Sequence, residues 1–395
     1  MNKKKINKIS ENVFVIESIS KIHASDWNNC ARSENNDLNP FLSHEFLSSL
    51  EESGSVSQET GIKPLHLLVK DKYGEIQACV PVYVKSHSYG EYVFDWNWAQ
   101  AYENAGGNYY PKLFSGIPFT PVTSSRLLLR EKKNKSSSIK TRKKLINTLK
   151  NLVHDLGLSS LHITFPEEEE IKSMEELGLL TRSGYQFHWK NNNYKDFPEF
   201  LSELSSKKRK NIKKERIVAN SLDIKYITLT GEDIKQSHWD AFYKFYLNTI
   251  DKKWGNAYLN RSFFEILSNK IPEKMVLILG ERDSEIVCGA LNFLGAQTLF
   301  GRNWGTITNE KMIHFEVCYY RAIDFAIKNN LLKVEAGAQG AHKIQRGYLP
   351  VRTYSSHWVE NLQFREAIEK FLIEEKKILN NEIDLLNKKS PFKFN

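Results

Sequence analysis

The densest run of chemistry-bearing residues lies between positions 335 and 346. Glu335 ends a short apolar stretch, the turn Ala336-Gly-Ala-Gln-Gly340 follows, and His342 comes two residues after it. An imidazole titrates near neutrality, and a glycine-rich turn at the open end of a strand can present one to a cleft. His342 is therefore the first candidate for proton transfer; the alternative is a histidine that hydrogen-bonds its own loop. Glu335 reads either as a general base or as the ion-pair partner of Lys343 or Arg346. Gln339, Lys343 and Arg346 set an amide and two cations within eight residues. That group suits a carboxylate or a phosphate, or else a solvated loop.

Three further groups stand out. Glu316, Tyr320 and Asp324 fall at i, i+4 and i+8 on the otherwise apolar helix expected over 313–329. Such a stripe must face water, a cleft or a partner; Glu316 and Tyr320 read as cleft residues and Asp324 as structural. Between Lys207 and Arg216 lie seven cations, Lys207, Lys208, Arg209, Lys210, Lys213, Lys214 and Arg216. They form a solvated helix face or a site for phosphate on a nucleic acid, nucleotide or cofactor. In the first half, His87, Tyr89, Asp95 and Trp98 suggest a pocket whose aromatics stack a sugar or other ring, with Phe94 assigned to the core. Ser43 beside His44 is no catalytic pair, since adjacent side chains point apart; Ser43 reads as the N-cap of a helix through Leu50.

Composition bounds the answer. A chain of 395 residues exceeds one ordinary core, so two domains are expected. No stretch reaches the ~20 apolar residues of a membrane span, and no apolar segment follows the basic start, so neither integral membrane association nor a secretory signal is expected. The four cysteines, Cys30, Cys79, Cys288 and Cys318, form no CxxC pair. A disulfide framework and a zinc site are thus disfavoured, and a reducing, cytoplasmic location is expected. The histidines nowhere adopt metal-ligand spacing. No helix-turn-helix spacing accompanies the basic run, which argues against DNA as a partner.

The elements that must position these residues are legible in outline. Residues 65–71 and 76–84 read as a hairpin about the turn Lys72-Tyr-Gly-Glu75, and 275–279 with 286–294 as another about Arg282-Asp-Ser-Glu285. They recur about 210 residues apart, a weak internal duplication. Each leads to a strand with alternating aromatics, Tyr92, Phe94, Trp96 and Trp98 in the first half, and Phe300 with Arg302 and Trp304 in the second. Helices are expected over 197–219, 313–329 and 364–386, and a short buried strand over 331–336. Lys132–Lys144 reads as an exposed loop running into a helix. The junction falls near residue 193.

With these pieces in place the sequence resembles the FemAB-like peptidoglycan biosynthesis/recognition family of predicted N-acyltransferases, a branch of the wider acetyltransferase-like (GNAT-like) group. The resemblance runs from about Asn39 to Trp358. It rests on Asn39-Pro-Phe-Leu-Ser-His44, Glu52-Ser-Gly-Ser55, Tyr83 through Trp96, Tyr109-Tyr-Pro-Lys112 and Ile117-Pro-Phe-Thr-Pro-Val122. It continues in Ser205 through Ile212, His238-Trp-Asp-Ala-Phe-Tyr243, Lys253-Trp-Gly255, His314 through Tyr320, Glu335-Ala-Gly-Ala-Gln-Gly340, His342-Lys343 and Gly347-Tyr-Leu-Pro350.

The resemblance implies an α/β (α+β) chain of two tandem GNAT-like domains with central mixed sheets flanked by helices: 1–193 on the acceptor side and 194–395 on the donor side, catalytic. In that fold the sheet splays between its fourth and fifth strands, here expected over 298–305 and 333–337, and the acyl donor enters the gap. Alternation puts Arg302 with Trp304 and Glu335 with Gly337 across it. His342, Glu335 and Glu316 become the catalytic candidates. Arg302, Trp304, Gly305, Gln339, Lys343, Arg346, Lys208 and Arg209 become donor-binding candidates, and His87, Tyr89, Asp95, Trp98 and Tyr320 substrate-binding ones. Acetyl-CoA enzymes of the fold hold pyrophosphate on a Gln/Arg-x-x-Gly-x-Gly/Ala turn. The nearest match, Arg302-Asn-Trp-Gly-Thr-Ile307, ends in Ile instead of a small residue. Acyl-CoA and aminoacyl-tRNA both remain open as co-substrate, the latter suiting the basic helix, and no tightly bound cofactor is implied. The expected reaction is transfer of an acyl or aminoacyl group to the amine of a small-molecule, peptide or cell-wall-related acceptor. Two alternatives stand beside it: a non-catalytic protein that recognises a peptidoglycan precursor or metabolite, and a tRNA-associated factor acting through Lys207–Arg216.

Overall fold

The computed structural model describes residues 7–130, 132, 134–251, 256–337 and 340–393. Gln339 and the Lys253-Trp-Gly255 motif lie outside the described residues. The chain is mixed α+β and divides into two compact units. Unit 1 comprises Met1–Gly184 with Arg352–Asn380, and unit 2 comprises Tyr185–Val351 with Asn381–Asn395. The first crossing thus falls nine residues before the junction read at 193, and residues 352–380 return to unit 1, which a single junction does not allow for.

Unit 1 contains an antiparallel sheet ordered Asn7–Ser10, Val13–Ile16, His66–Lys70, Ile76–Val80, Leu128–Leu129. The apolar run 76–84 is not one strand. Pro81 has no N–H for a ladder, and the chain changes partners there: Val82–Lys85 pairs instead with Ile62–Pro64 and Lys112–Ser115. Lys112–Ser115 runs parallel to Ser160–Thr164 over three residue pairs, with the helix Lys135–Asp155 between them in sequence. That helix buries Leu145, Ile146, Leu149, Leu152 and Val153 against Val82, Leu113, Leu161 and Ile163. The strand Leu349–Val359 adds its last residues to Ser160–Thr164, with His357 opposite His162.

The aromatic strand expected over 92–98 is absent. Tyr92 takes a φ of 58°, which ends any alternation, and Trp96–Asn104 is a helix. Phe94, assigned to the core, is 54% exposed.

In unit 2 the sheet runs Lys225–Thr230, Met275–Arg282, Glu285–Leu294, Thr298–Thr306, Lys333–Glu335 and then the end of strand Leu180–Lys190, from Tyr185 on. The hairpin read at 282–285 is present. Asp283 and Ser284 both adopt left-handed φ, 51° and 64°, which matches the twist of a two-residue hairpin turn. All pairings are antiparallel except Thr298–Thr306 with Lys333–Glu335, which is parallel over three residue pairs and then ends. Each unit therefore repeats one plan, antiparallel strands leading into a parallel pair bridged by a helix. The bridging helix of unit 2 runs Ile313–Phe315, Glu316–Tyr320 and Arg321–Lys328, its middle turn π-type. It buries Tyr319, Tyr320, Ile323 and Ile327 against Leu299, Val334 and Trp189. The helix expected over 197–219 is two, Phe197–Ser202 and Ser206–Asn220. Leu204 between them bridges to Phe392. Ser43 caps His44–Glu52 by accepting from the Phe46 N–H, as read from sequence. Among the described residues no helix is long and apolar enough to cross a membrane.

Candidate active site

The parallel pair of unit 2 ends at Phe300 opposite Glu335, and Glu335 is flanked on its other side by His188. Directly paired residues share a face, so Phe300, Glu335 and His188 lie on one side of the sheet. Glu335 is 2% exposed. Its Oε1 accepts from Lys333 Nζ at 2.8 Å. Among the described residues no group donates a hydrogen bond to its Oε2, and His188 Nε2 stands 4.0 Å away. Burial alone would raise this carboxyl, but His188, Lys333 and Arg302 together hold it below its ordinary value. Burial pushes His188 down to about 4, so its ring is neutral at pH 7. The result is a buried, ionised carboxylate whose second oxygen has no hydrogen-bond donor among the described residues.

Arg302 reaches this side for a reason that simple alternation misses. Gly301 pairs with Asn292 and Asn303 with Leu291, so Arg302 is the extra residue of a β-bulge. Its guanidinium lies 5.6 Å from the Phe300 ring centroid. The same bulge turns Trp304, paired with Ala290, to the face opposite Phe300. Arg302 and Glu335 are therefore brought together, and Trp304 is not with them. Gly305 has a packing reason to be glycine: a Cβ there would stand 2.2 Å from the Phe245 carbonyl oxygen of helix Gln236–Asp251.

On the helix side of the sheet, Trp304, His314, Phe315, Tyr319 and His342 form a connected ring cluster. Trp304 and His314 centroids are 4.6 Å apart, and His342 lies 5.8 Å from both Phe315 and Tyr319. His342 is exposed, and its Nε2 lies 2.9 Å from the Tyr319 hydroxyl. Burial, then Arg346 and Lys343, lower its pKa, which favours the neutral ring. Burial raises Tyr319, so the phenol keeps its proton. Arg346 stacks 3.4 Å from the Phe315 centroid and donates to the His342 carbonyl oxygen at 2.8 Å. Lys343 is buried and donates to the Ala336 and Gly337 carbonyl oxygens at 2.6 and 3.0 Å, clamping the chain just past Glu335. Burial pushes its ammonium down to about 8.

The polar stripe of the bridging helix meets a partner, not a cleft. Glu316, fully buried, accepts from Arg216 at 3.0 Å, and Asp324 accepts from the same guanidinium at 2.7 Å. Tyr320 donates to Glu215, which also receives Arg346 at 2.8 and 2.9 Å. These ties dock helix Ser206–Asn220. Lys208 bonds Gln345, and Arg209 reaches the Ser202 carbonyl oxygen at 3.5 Å. Lys207, Lys210, Lys213 and Lys214 are the exposed cations.

Unit 1 holds a second, fully buried polar group. Lys112 donates to Asp95 at 2.5 Å, Glu91 at 2.9 Å and Ser88 at 2.7 Å. Lys85 pairs with Glu91 at 2.9 Å. The Tyr109 hydroxyl donates to Asp95 at 2.8 Å, and His162 Nδ1 meets His357 Nδ1 at 2.7 Å. Burial opposes the charge on Lys112, but Glu91 and Asp95 carry its pKa above the ordinary value. Burial likewise works to raise Asp95, and Lys112 and His162 outweigh it and hold the carboxyl low. Burial forces both histidines neutral, His357 down to about 3. Asp95 and Trp98, read as pocket residues, are 1% and 5% exposed, Trp98 packing edge-on to His357. His87 is tied to the Thr60 carbonyl oxygen at 2.8 Å, and Tyr89 is 54% exposed, 5.0 Å from Trp96.

Sequence reasoning passed over His188, Tyr319, Glu91, Lys112, His162 and His357. Glu91, Tyr109, Lys112 and Tyr319 lay within motifs that carried the resemblance. His162 and His357, 195 positions apart, leave no local signal. Among the described residues no group of three or more His, Cys, Asp or Glu is placed to hold a metal.

Among curated proteins none matches the chain. Of solved structures, FemX is similar in fold at 10% identity, with a TM-score of 0.52 over 88% of this chain and 98% of FemX. The C-terminal domain of a putative lysylphosphatidylglycerol synthetase from Agrobacterium fabrum is similar at 7% identity, with a TM-score of 0.50 over 90% of this chain and 95% of that domain. These likenesses show the fold alone. Residues 18–394, nearly the whole sequence, match the FemAB-like peptidoglycan biosynthesis/recognition family, and the chain belongs to that family.

Proposed function

We propose that the chain transfers an acyl or aminoacyl group to an amine of a cell-wall-related acceptor, with the chemistry in unit 2. The observation that carries this reading is Glu335: buried, ionised, one oxygen without a donor among the described residues, at the point where the parallel strands cease to pair. Amide formation starts with attack of an amine nitrogen on the donor carbonyl carbon. The nitrogen must lose a proton and the oxygen becomes an oxyanion. As the new C–N bond forms, the N–H becomes acidic, and Glu335 Oε2 accepts the proton. The oxyanion then collapses, breaking the donor's C–S bond (acyl-CoA) or C–O bond (aminoacyl-tRNA), and the departing thiolate or ribose oxygen takes up a proton. Arg302, on the same face, supplies positive charge for the oxyanion or for a donor phosphate. His342, neutral and held by Tyr319, is the second group able to take a proton, and Trp304 with His314 and Phe315 offers a surface for the donor on the helix side. Glu316 and Tyr320 serve by docking the basic helix. In unit 1, Tyr89 is the exposed member of the substrate-binding candidates, its carbonyl oxygen held by Lys85 at 2.7 Å, while Asp95 and Trp98 lie buried against Lys112 and His357.

The reading is tested by offering purified protein either acetyl-CoA or a pool of charged tRNA, with a muramyl peptide as amine acceptor, and looking for the amide by mass spectrometry. An amide formed with one donor supports the reading and identifies the donor class. Calorimetric binding of the muramyl peptide without product from either donor would favour recognition without chemistry.

A further inference from the structure

Helix Ser206–Asn220 uses one face inward and leaves the other unmatched. Its inward residues are all engaged: Ile212 and Ala219 are buried, Glu215 meets Tyr320 and Arg346, and Arg216 meets Glu316 and Asp324. Lys208 and Arg209 are half-buried against Gln345 and Ser202. At 100° per residue, Lys207, Lys210, Lys214 and Ile217 stand at i, i+3, i+7 and i+10 on the outward face, flanked by Lys213 and Val218. All four lysines are exposed. Ile217 is 68% and Val218 37% exposed. Glu215 is the helix's one acidic residue and it points inward, so nothing on the helix neutralises the outward lysines.

We propose that this face docks the protein reversibly on an anionic lipid surface, the lysines meeting phosphate headgroups and Ile217 with Val218 entering the headgroup–acyl boundary. A cationic face continued by exposed apolar side chains at its C-terminal end matches an interfacial helix. The same charges would attract RNA, but three features favour lipid. A phosphodiester backbone offers nothing to an exposed isoleucine. The cations are all Lys, point charges without the planar fork that grips phosphate in two places. The outward face carries no aromatic side chain on which a base could stack. This inference is independent of the transfer chemistry.

The test is co-sedimentation of the full chain with vesicles of phosphatidylcholine, with and without phosphatidylglycerol, alongside filter binding to total tRNA. Binding to the anionic vesicles alone is expected, weakening by about fivefold for each of Lys207, Lys210, Lys213 and Lys214 changed to Gln. Ile217→Ser should weaken vesicle binding severalfold while leaving tRNA retention unchanged. All these positions are exposed, so melting temperatures should match the native protein. Equal vesicle binding by native and four-Gln proteins would overturn the proposal, as would an Ile217→Ser variant that binds vesicles normally. Retention of tRNA through the four lysines without vesicle binding would overturn it in favour of RNA.

Discussion

Glu335 and Asp95 are both buried carboxylates held ionised, each with one oxygen that no donor reaches among the described residues, and they differ in the groups around the other oxygen. One Asp95 oxygen is claimed by both Lys112 and Tyr109, inside a group that also contains Glu91 and Lys85. Glu335 has only the half-exposed Lys333 bonded to its other oxygen, at the point where the parallel strands cease to pair. Removing the cation from the first cluster leaves buried negative charge without compensation, which costs about 3–5 kcal/mol. Lys112→Met is therefore expected to lower stability by that amount, read as a fall in urea midpoint. The histidine pair makes the same cluster sensitive to acid. His162 and His357 have folded pKa values pushed below the ordinary ~6.5, so their contribution is present above that value. It is lost as pH falls toward about 3, because the unfolded chain binds protons that the folded chain refuses. Stability should fall from pH 6.5 downward, and His357→Gln should flatten that slope; an unchanged slope would show that this pair does not control it.

At the scale of elements, the strand Thr298–Thr306 does two jobs. Its bulge sends Arg302 toward Glu335 and Trp304 to the other face, and Gly305 lets helix Gln236–Asp251 approach to backbone contact. Gly305→Ala puts a methyl against the Phe245 carbonyl, so a loss of about 1–3 kcal/mol is expected, measurable as a lower melting temperature. The bridging helix is fixed to Ser206–Asn220 by a buried acid and one arginine. Arg216→Met leaves buried Glu316 with Arg321 alone, at 3.2 Å, and is expected to cost about 1.5–3 kcal/mol and to increase amide exchange along Ser206–Asn220. Elements with strong local signals were legible: the second hairpin, the bridging helix, the Ser43 cap and the C-terminal helix, observed as Leu362–Asn387 against an expected 364–386. The bulge was not, because an extra residue in one strand is defined by its partner. The break at Pro81 had a visible cause in proline itself. The strand misassigned over 92–98 fails because Asp95 is drawn to a lysine seventeen positions away; no period in the sequence records that.

For the molecule as a whole, composition foretold more than one core, and the two units follow. The return of 352–380 to unit 1 was hidden, since His357 pairs with a strand nearly two hundred residues earlier. The excess of +9 charges looked like a single basic site at Lys207–Arg216. Folding splits it, with Arg216 spent on internal acids and four lysines left outward. The dense segment after Glu335 is likewise divided. Lys343 and Arg346 brace the chain, His342 joins the aromatic cluster, and Glu335 faces the other side of the sheet. The most direct measurement is the rate of amide formation by Glu335→Gln beside the native protein, with matched melting temperatures and His342→Ala as comparison. A fall of about 100-fold or more is expected for Glu335→Gln, the size of a lost proton acceptor. Turnover at the native rate by the folded variant would contradict a catalytic Glu335.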